Sequence, residues 1–224
     1  DELVVVLASF LTRKPVAPTR EVSAETKHDS AKLISLMPEN IGSILDLACN
    51  DGLLLSNIAE HNPHIKCTGV DIDCQAVAQV LKAGHNAILA DIDNGLMNIP
   101  ENTFDCAILS ESLQVMKHPE KVLEELLRIA PVGLVSFPNF GMWKIRFSLL
   151  LFGRMPKTKQ LPYEWYNTPN IHLCTFRDFL DLCQAKQIKV EKITYLATHK
   201  LSKILNFLGF KNLGSSRVLV KIRR

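Results

Sequence analysis

The amino-acid sequence predicts an α/β fold with a doubly wound, mostly parallel sheet of seven strands. Between residues 28 and 137, short apolar segments alternate with longer amphipathic segments. This alternation is typical of parallel strands joined by right-handed helical crossovers. The strand predicted at Phe104–Leu109 ends in the run Cys-Ala-Ile-Leu, as expected for a strand that helices cover on both faces. Two later strands, Ile188–Leu196 and Arg217–Ile222, alternate apolar and polar residues.

The predicted elements have recognisable start and stop signals. Pro38 ends the first helix, Gly84 ends the third, and Pro119 begins the fourth in the first-turn position that proline favours. Thr175 caps the next helix with Asp178 three residues later, a variant of the capping box. The other predicted elements are helices Ser30–Met37, Leu53–His61, Asp73–Ala83, Pro119–Ile129 and one near Leu201–Leu208, and strands Ser43–Ala48, Cys67–Asp71, Ala87–Ala90 and Gly133–Phe137.

The composition indicates a globular protein of 224 residues, 47% hydrophobic and 22% charged. We expect residues 28–224 to form a single domain and residues 1–27 to be an N-terminal arm or linker with no assigned role. The net charge of +3 is too small to indicate nucleic-acid binding. No apolar run approaches the roughly 20 residues that span a bilayer, and no leader is recognisable. The six isolated cysteines indicate reduced core thiols rather than disulfides or a metal site, so we expect a cytoplasmic protein.

The loop after the first strand has the composition of a ligand-binding turn. It reads Asp46-Leu47-Ala48-Cys49-Asn50-Asp51-Gly52, and ligands of doubly wound sheets bind where such loops leave the strands. Asp71 ends the second strand, and a carboxylate there can accept hydrogen bonds from both ribose hydroxyls. The third glycine of the dinucleotide fingerprint is missing, and no phosphate-binding loop of the GxxxxGK[ST] type occurs. The loop therefore predicts a nucleoside-type cofactor other than NAD or FAD.

This pattern resembles the class I S-adenosylmethionine-dependent methyltransferases. The resemblance includes the D-x-[GA]-x-[GN]-x-G loop, acidic residues after strands two and three, and Phe104-Asp105 before strand four. Asn50 tolerates a positive φ, whereas alanine at position 48 fits only with a negative φ. The alternative is a plain tight turn in which Asp46 binds backbone amides and Asp71 caps the next helix. The resemblance implies S-adenosylmethionine or S-adenosylhomocysteine as the cofactor, bound by Asp46, Ala48, Asn50, Gly52, Asp71, Ile72, Asp91, Ile92 and Ser110.

A more specific resemblance lies in the segment inserted after strand five. Residues 108–114, 135–141, 153–156 and 161–175, the last reading Leu-Pro-Tyr-Glu-Trp-Tyr-Asn-Thr-Pro-Asn-Ile-His-Leu-Cys-Thr, are similar to the methionine biosynthesis protein family MetW. The similarity runs from about Gly42 to Ile193. It implies a role beside a homoserine O-acyltransferase (MetX) as the protein partner. It implies no methyl acceptor.

The inserted segment allows several interpretations from its residues alone. Its aromatic and basic side chains suit a lid or a partner surface, with Trp143, Tyr163, Trp165, Tyr166 and His172 as the candidate residues. It could also wall an acceptor pocket, lie on a membrane surface, or pack its apolar face on the domain. His172 is a candidate general base, although a single histidine before a helix cap is more often a hydrogen-bonded structural residue.

Three functions remain open from the sequence. The first is a MetW-like accessory protein that binds the acyltransferase and senses S-adenosylmethionine. The second is a methyltransferase that acts on a small-molecule acceptor, and the third is a scaffold without a ligand. Methyl transfer depends mainly on positioning and desolvation, so the lack of an obvious catalytic triad does not decide whether the protein is an enzyme.

Overall fold

The computed structural model describes residues 24–158, 161–197 and 199–224, with side chains from Asp29 onward. The strands are β1 Ser43–Leu47, β2 Lys66–Asp71, β3 Asn86–Leu89, β4 Cys106–Ser110, β5 Val132–Pro138, β6 Lys189–Leu196 and β7 Arg217–Arg223. The helices are α1 Ala24–Ile34, α2 Leu53–His61, α3 Cys74–Lys82, α4 Pro119–Ile129, α5 Trp143–Phe152, α6 Phe176–Ala185, α7 Lys200–Phe207 and α8 Lys211–Gly214. Single 3₁₀ turns occupy Ile92–Asn94 and Leu113–Val115.

The strands form one sheet in the order β3-β2-β1-β4-β5-β7-β6. The first five strands in this order are parallel, and β7 runs antiparallel to both β5 and β6. The predicted doubly wound, mostly parallel sheet of seven strands is therefore confirmed. The chain winds outward from β1 to β3 and then returns beside β1 as β4. This reversal places the carboxyl ends of β1 and β4 at the position where such sheets bind ligands.

Helices cover both faces of the sheet. Helices α1, α2 and α3 pack on one face, with Leu33, Leu55 and Val80 in the same buried cluster. Helices α4 and α6 pack on the other face through Leu123 and Phe179, among others. All seven residues of β5 are buried, as expected for a strand with helices on both sides.

Asp105 joins the beginning of β4 to the beginning of β1. Its Oδ2 accepts hydrogen bonds from the backbone N–H groups of Gly42 and Ser43 and from the Ser43 hydroxyl, each at 2.9 Å. These donors, with the Gly42 amide first, lower the pKa of the Asp105 carboxyl. The Phe104-Asp105 pair of the predicted motif thus has a structural role, since it aligns the two central strands.

The first helix begins earlier than predicted. Helix α1 spans Ala24–Ile34, whereas apolar periodicity predicted a helix at Ser30–Met37. Its first turns contain few apolar residues, so periodicity gave no signal there, and residues 35–37 instead form turns that precede Pro38. Of the predicted arm, residues 1–23 lie outside the described residues.

The inserted segment contains helix α5 and a long irregular stretch that ends at Thr175, the cap of α6. Phe140, Met142, Ile145 and Leu161 form a small buried cluster of its own. The predicted capping box is present, since Thr175 and Asp178 exchange side-chain to backbone hydrogen bonds. In the described part of the chain, no helix has both the length and the apolar character needed to cross a membrane.

Asn139 fastens this segment to the sheet. Its side chain is 2% exposed and makes four hydrogen bonds to backbone groups. The amide nitrogen donates to the carbonyls of Asn212 and Ser215 at 2.8 and 2.9 Å. The amide oxygen accepts from the N–H groups of Gly141 and Phe176, both at 3.0 Å. One side chain therefore holds the end of β5, the beginning of α6 and the residues that lead into β7.

Candidate functional site

The loop between β1 and α2 has a left-handed backbone at every second residue. The φ angles are 58° at Ala48, 49° at Asn50 and 75° at Gly52. Glycine adopts this region without strain, and asparagine tolerates it better than other residues with a side chain. A Cβ atom at position 52 would lie 2.8 Å from Val80 Cγ2 of α3. Only glycine therefore satisfies both the backbone and the packing at that position.

Ala48 corrects one expectation from the sequence. A negative φ was expected there because alanine has a Cβ atom, yet the backbone is left-handed. The neighbouring residues impose this conformation, since the Cys49 N–H donates to the Val70 carbonyl of β2 at 3.0 Å and the Gly52 N–H donates to the Cys49 carbonyl. A left-handed alanine costs roughly 1–2 kcal/mol. The loop therefore keeps a backbone conformation typical of glycine at position 48, although alanine there lowers the stability of the folded chain.

Ala48→Gly is expected to raise the free energy of unfolding by about 0.5–1 kcal/mol. Glycine removes the left-handed strain but also increases the entropy of the unfolded chain, which offsets part of the gain. Chemical denaturation of both proteins measures the difference. Ala83→Gly is the control, because Ala83 is an exposed residue with φ −74° and its replacement should lower stability. Equal losses at both positions would contradict the strain at Ala48.

Asp71, at the end of β2, braces the same loop. Its Oδ2 accepts a hydrogen bond from the Asn50 N–H at 2.8 Å, and its Oδ1 accepts from the Asp73 N–H at 2.9 Å. Asp73, rather than Asp71, caps α3 by accepting from the Gln75 N–H. The close approach of loop and strand needs Gly69, where a Cβ atom would lie 2.5 Å from Cys49 Sγ. Asp71 remains partly exposed, so its oxygens can accept further hydrogen bonds.

A cleft of about 260 Å³ opens beside this loop. Its lining comes from the β1 loop, the ends of β4 and β5, α1 and β7. Four of the predicted cofactor residues line it, namely Asp46, Ala48, Asn50 and Ser110. The other charged groups are Asp29, Asp51, Glu111 and Arg217. The lining thus carries four carboxyl groups and one guanidinium, which suits a ligand that bears positive charge.

Asp46 is the most perturbed carboxyl group of the cleft. It is 2% exposed, and burial, followed by the nearby negative charge of Asp71, raises its pKa to about 8. Among the residues with described side chains, none donates a hydrogen bond to the Asp46 carboxylate. The alternative in which Asp46 binds backbone amides of a plain tight turn is therefore not supported. A cation bound nearby would favour the ionised form of Asp46.

Glu111, which with Ser110 was expected at the cofactor end of strand four, belongs to a charged cluster whose other members, Asp29 and Arg217, the sequence did not single out. The Arg217 guanidinium pairs with the Asp29 carboxylate of α1 and lies 3.4 Å from Glu111 Oε2. Glu111 has φ 57°, and its N–H donates to both oxygen atoms of Ser136. These residues come from three distant parts of the chain, so no local motif could reveal that they meet. The cluster joins α1 to the strand ends across the cleft.

The remaining predicted cofactor residues lie outside the lining of this cleft. Ile72 follows Asp71 and is 68% exposed, whereas Ile92 belongs to the core. Asp91 caps the 3₁₀ turn after β3, where its carboxylate accepts from the Asp93 N–H and the Asn94 side chain. Ser110, by contrast, does line the cleft, and its hydroxyl shares a hydrogen bond with the Ser136 hydroxyl at 3.0 Å. Asp71 contacts the β1 loop from the end of β2. The predicted cofactor residues are therefore spread along the carboxyl ends of β1, β2, β3 and β4.

The predicted aromatic residues of the inserted segment are not among the residues that line the cleft. Trp143 donates from its indole nitrogen to the Ser202 hydroxyl at 3.1 Å. Tyr163, Trp165 and Tyr166 are at least half exposed. His172 is exposed, with its Nε2 3.4 Å from the Lys117 carbonyl oxygen. Within the described residues, no group of histidine, cysteine or acidic side chains is arranged to hold a metal ion.

Comparison with known proteins decides the family. The model of the family described as "Methionine biosynthesis protein MetW" matches residues 27–221. The chain belongs to the MetW family. This match includes the β1 loop, all seven strands up to Lys221 and the inserted segment, so it confirms the predicted membership of the MetW family.

One relative combines MetXA and MetW in its name. The "Bifunctional methionine biosynthesis protein MetXA/MetW" of Rhodopirellula baltica is 27% identical to this chain over 172 residues. The aligned region is 73% of this chain but 27% of the relative, so the chain spans about a quarter of that protein's length.

Solved structures of methyltransferases share the fold. An S-adenosylmethionine dependent methyltransferase from Mesorhizobium loti has a TM-score of 0.64 at 19% identity, covering 90% of this chain and 98% of that one. The plantazolicin methyltransferase BpumL, in complex with S-adenosylhomocysteine, has a TM-score of 0.60 at 18% identity, covering 88% and 81% of the two chains. At such identities the likeness concerns the fold, which is the Rossmann-like class I methyltransferase fold.

Proposed function

We propose that this MetW-family chain binds S-adenosylmethionine at the β1 loop and acts beside a homoserine O-acyltransferase in methionine biosynthesis. The observation that carries the first part is the loop itself, with left-handed residues at 48, 50 and 52 and the Asp71 carboxylate on the Asn50 N–H. This backbone path costs stability at Ala48. A turn that only connects β1 to α2 has no need of this strained conformation, whereas a loop that binds a ligand needs its backbone close to that ligand.

The residues present fit this cofactor. Asp71 can accept hydrogen bonds from ribose hydroxyls, and exposed Ile72 beside it offers an apolar surface for a base. The acidic cleft can hold the cationic amino-acid end, with Asp46 and Glu111 near the positive charges and Arg217 near the carboxylate. S-adenosylmethionine supplies a methyl group on a positively charged sulfonium. The chain supplies orientation, charge complementarity and shielding from water, and we expect it to do so in the cytoplasm.

Calorimetric titration tests the cofactor proposal. We expect S-adenosylmethionine and S-adenosylhomocysteine to bind, and Asp71→Ala to weaken both by roughly 1–3 kcal/mol because hydrogen bonds to a charged acceptor are lost. Asp181→Ala is the matched control, since Asp181 is an exposed carboxylate on α6, away from the cleft. Thermal unfolding checks that both variants fold. An unchanged affinity in Asp71→Ala would place the ribose elsewhere, and no binding by the wild-type chain would refute the proposed cofactor.

The second part of the proposal draws on the fused relative. A protein that contains MetXA and MetW in one chain supports a physical association of the two components, because fusion holds them at a high effective concentration. We expect the chain to form a complex with the homoserine O-acyltransferase of the same organism and to alter its rate of acyl transfer. Analytical ultracentrifugation of the two purified proteins, followed by acyltransferase assays with and without this chain, measures both effects.

The small-molecule methyltransferase remains the competing function. It predicts release of S-adenosylhomocysteine that depends on a low-molecular-weight acceptor and needs no acyltransferase. The accessory function predicts cofactor binding with no such turnover when the chain is alone. Incubation of the chain with S-adenosylmethionine and a metabolite extract, with and without the acyltransferase, separates the two.

A further inference from the structure

Two neighbouring helices present an unusually apolar surface to solvent. The second half of α5 exposes Leu150, Leu151 and Phe152 at 66–77%, and Phe207 at the end of α7 is 90% exposed. A large exposed apolar surface on a protein commonly marks a site where a partner binds. We call this region the α5–α7 face and define it by its exposed apolar residues Phe147, Leu149, Leu150, Leu151, Phe152, Leu201, Ile204, Phe207, Leu208 and Phe210.

The two helices are fixed to one another below this face. The Trp143 indole nitrogen of α5 donates to the hydroxyl of Ser202, which is fully buried in α7. Lys144 Nζ lies 2.5 Å from His199 Nε2 at the cap of α7. Trp143 also packs edge-on against Phe147. A partner would therefore meet a preformed surface, which lowers the entropy that is lost on binding.

The two segments of chain that contain the face carry charge of one sign. The sequence contains no aspartate or glutamate from Leu126 to Tyr163 or from Lys192 to Arg224. The same two segments contribute Lys144, Arg146, Arg154, Lys200 and Lys203, so basic residues are interspersed along the chain with the apolar ones. Interfaces commonly combine such an apolar centre with a charged rim. A complementary partner surface has apolar side chains in its centre and carboxylates around them.

We infer that the α5–α7 face is where the homoserine O-acyltransferase docks, through an apolar patch rimmed by acidic side chains. This inference rests on the proposed function, and it adds the location and the chemistry of the contact. The face lies apart from the cofactor cleft, since none of its ten residues lines that cleft. We expect the cofactor and the partner to bind through different residues of the chain.

The double variant Leu150→Ser/Phe207→Ser tests the apolar centre. Both side chains point into solvent, so their replacement should change the stability of the chain little. We expect the dissociation constant of the complex with the acyltransferase, measured by biolayer interferometry, to rise by about 30-fold or more, as for interface hot spots. Met97→Ser is the matched control, because Met97 is 83% exposed but lies in the loop between β3 and β4. Its dissociation constant should not change.

Lys200→Glu/Lys203→Glu tests the rim. Both lysines are exposed on α7, and reversal of their charge should weaken the complex about 10-fold at low salt. The loss should shrink at high salt because surface charges are then screened. Lys82→Glu, which changes an exposed lysine at the end of α3, is the control and should leave the affinity unchanged.

The outcomes separate this inference from the proposed function. If the wild-type chain forms no complex with the acyltransferase, the proposed association fails and the docking site fails with it. If the wild type binds and the Leu150/Phe207 variant binds equally well, only the docking site is refuted. Binding of the wild type to vesicles of anionic phospholipid, lost in that variant while the affinity for the acyltransferase is retained, would instead assign the face to a membrane surface.

Discussion

Replacing Asn139 with alanine is expected to lower the free energy of unfolding by about 3–5 kcal/mol. The side chain is buried and makes four hydrogen bonds to backbone groups of three segments. Alanine leaves two carbonyls and two N–H groups without these partners, and each unsatisfied buried group costs roughly 1–3 kcal/mol before relaxation. Urea denaturation measures the loss.

A second variant at this position and a control make the result specific. Asn139→Asp keeps the oxygen that accepts from Gly141 and Phe176 but places a second oxygen against the carbonyls of Asn212 and Ser215, so it should also be strongly destabilising. Asn167→Ala is the control, since Asn167 is an exposed residue of the same inserted segment that accepts one hydrogen bond, from Glu164. A loss below about 1 kcal/mol in both Asn139 variants would contradict the role of this residue as a fastening point.

Asp46→Asn is expected to stabilise the protein at alkaline pH and to weaken the binding of S-adenosylmethionine. Burial raises the pKa of Asp46 to about 8 from an ordinary value of 3.8. The folded protein therefore keeps a proton that the unfolded chain releases near pH 4. The stability from this difference is fully present below pH 4, decreases as the pH rises, and is lost above pH 8. Asparagine has no charge to bury, so the Asp46→Asn variant should not lose stability in this way as the pH rises.

Thermal unfolding between pH 5.5 and 8.5 measures the effect on stability. Relative to Asp46→Asn, the wild type should lose at least about 4 °C in Tm over this range, whereas Asp181→Asn should follow the wild type. Parallel profiles of the wild type and Asp46→Asn would show that Asp46 is already ionised in the folded protein at pH 5.5.

The same carboxylate should make cofactor affinity depend on pH. Ionised Asp46 favours the sulfonium of S-adenosylmethionine, a charge that S-adenosylhomocysteine lacks. The ratio of the two affinities should therefore rise with pH up to about 8 in the wild type and stay nearly constant in Asp46→Asn. A constant ratio in the wild type would mean that Asp46 does not act on the sulfonium.

Most of the fold was predictable because its signals are local. The bounds of Leu53–His61 were predicted to the residue, and the helix predicted from Pro119 to about Ile129 begins and ends there, since a first-turn proline marks its start. The order of the strands in the sheet was harder to predict from the sequence. Alternation of apolar and polar residues indicated that β6 and β7 exist. It did not show that β7 lies between β5 and β6, because β7 pairs with β5 across the whole inserted segment and α6. The start of α1 was missed because its first turns lack apolar periodicity.

The candidate site was predictable only in part. The alternate positions 48, 50 and 52 were recognisable from residue type, and the positive φ at Asn50 follows from its tolerance of that region. The positive φ at Ala48 contradicts the preference of alanine, since the hydrogen bonds of its neighbours outweigh it. Arg217 and Asp29 are separated by 188 positions, so only the folded chain shows that they meet across the cleft.

The position of β7 also limits the order in which the sheet can assemble. Among the described strands, β6 is hydrogen-bonded only to β7, and β7 is the strand that connects it to β5. Until β7 is in place, β6 has no neighbour to join and β5 has an open edge. Unpaired edges of this kind invite aggregation. A partly folded state in which β7 is detached should therefore be the one in which this protein aggregates most readily.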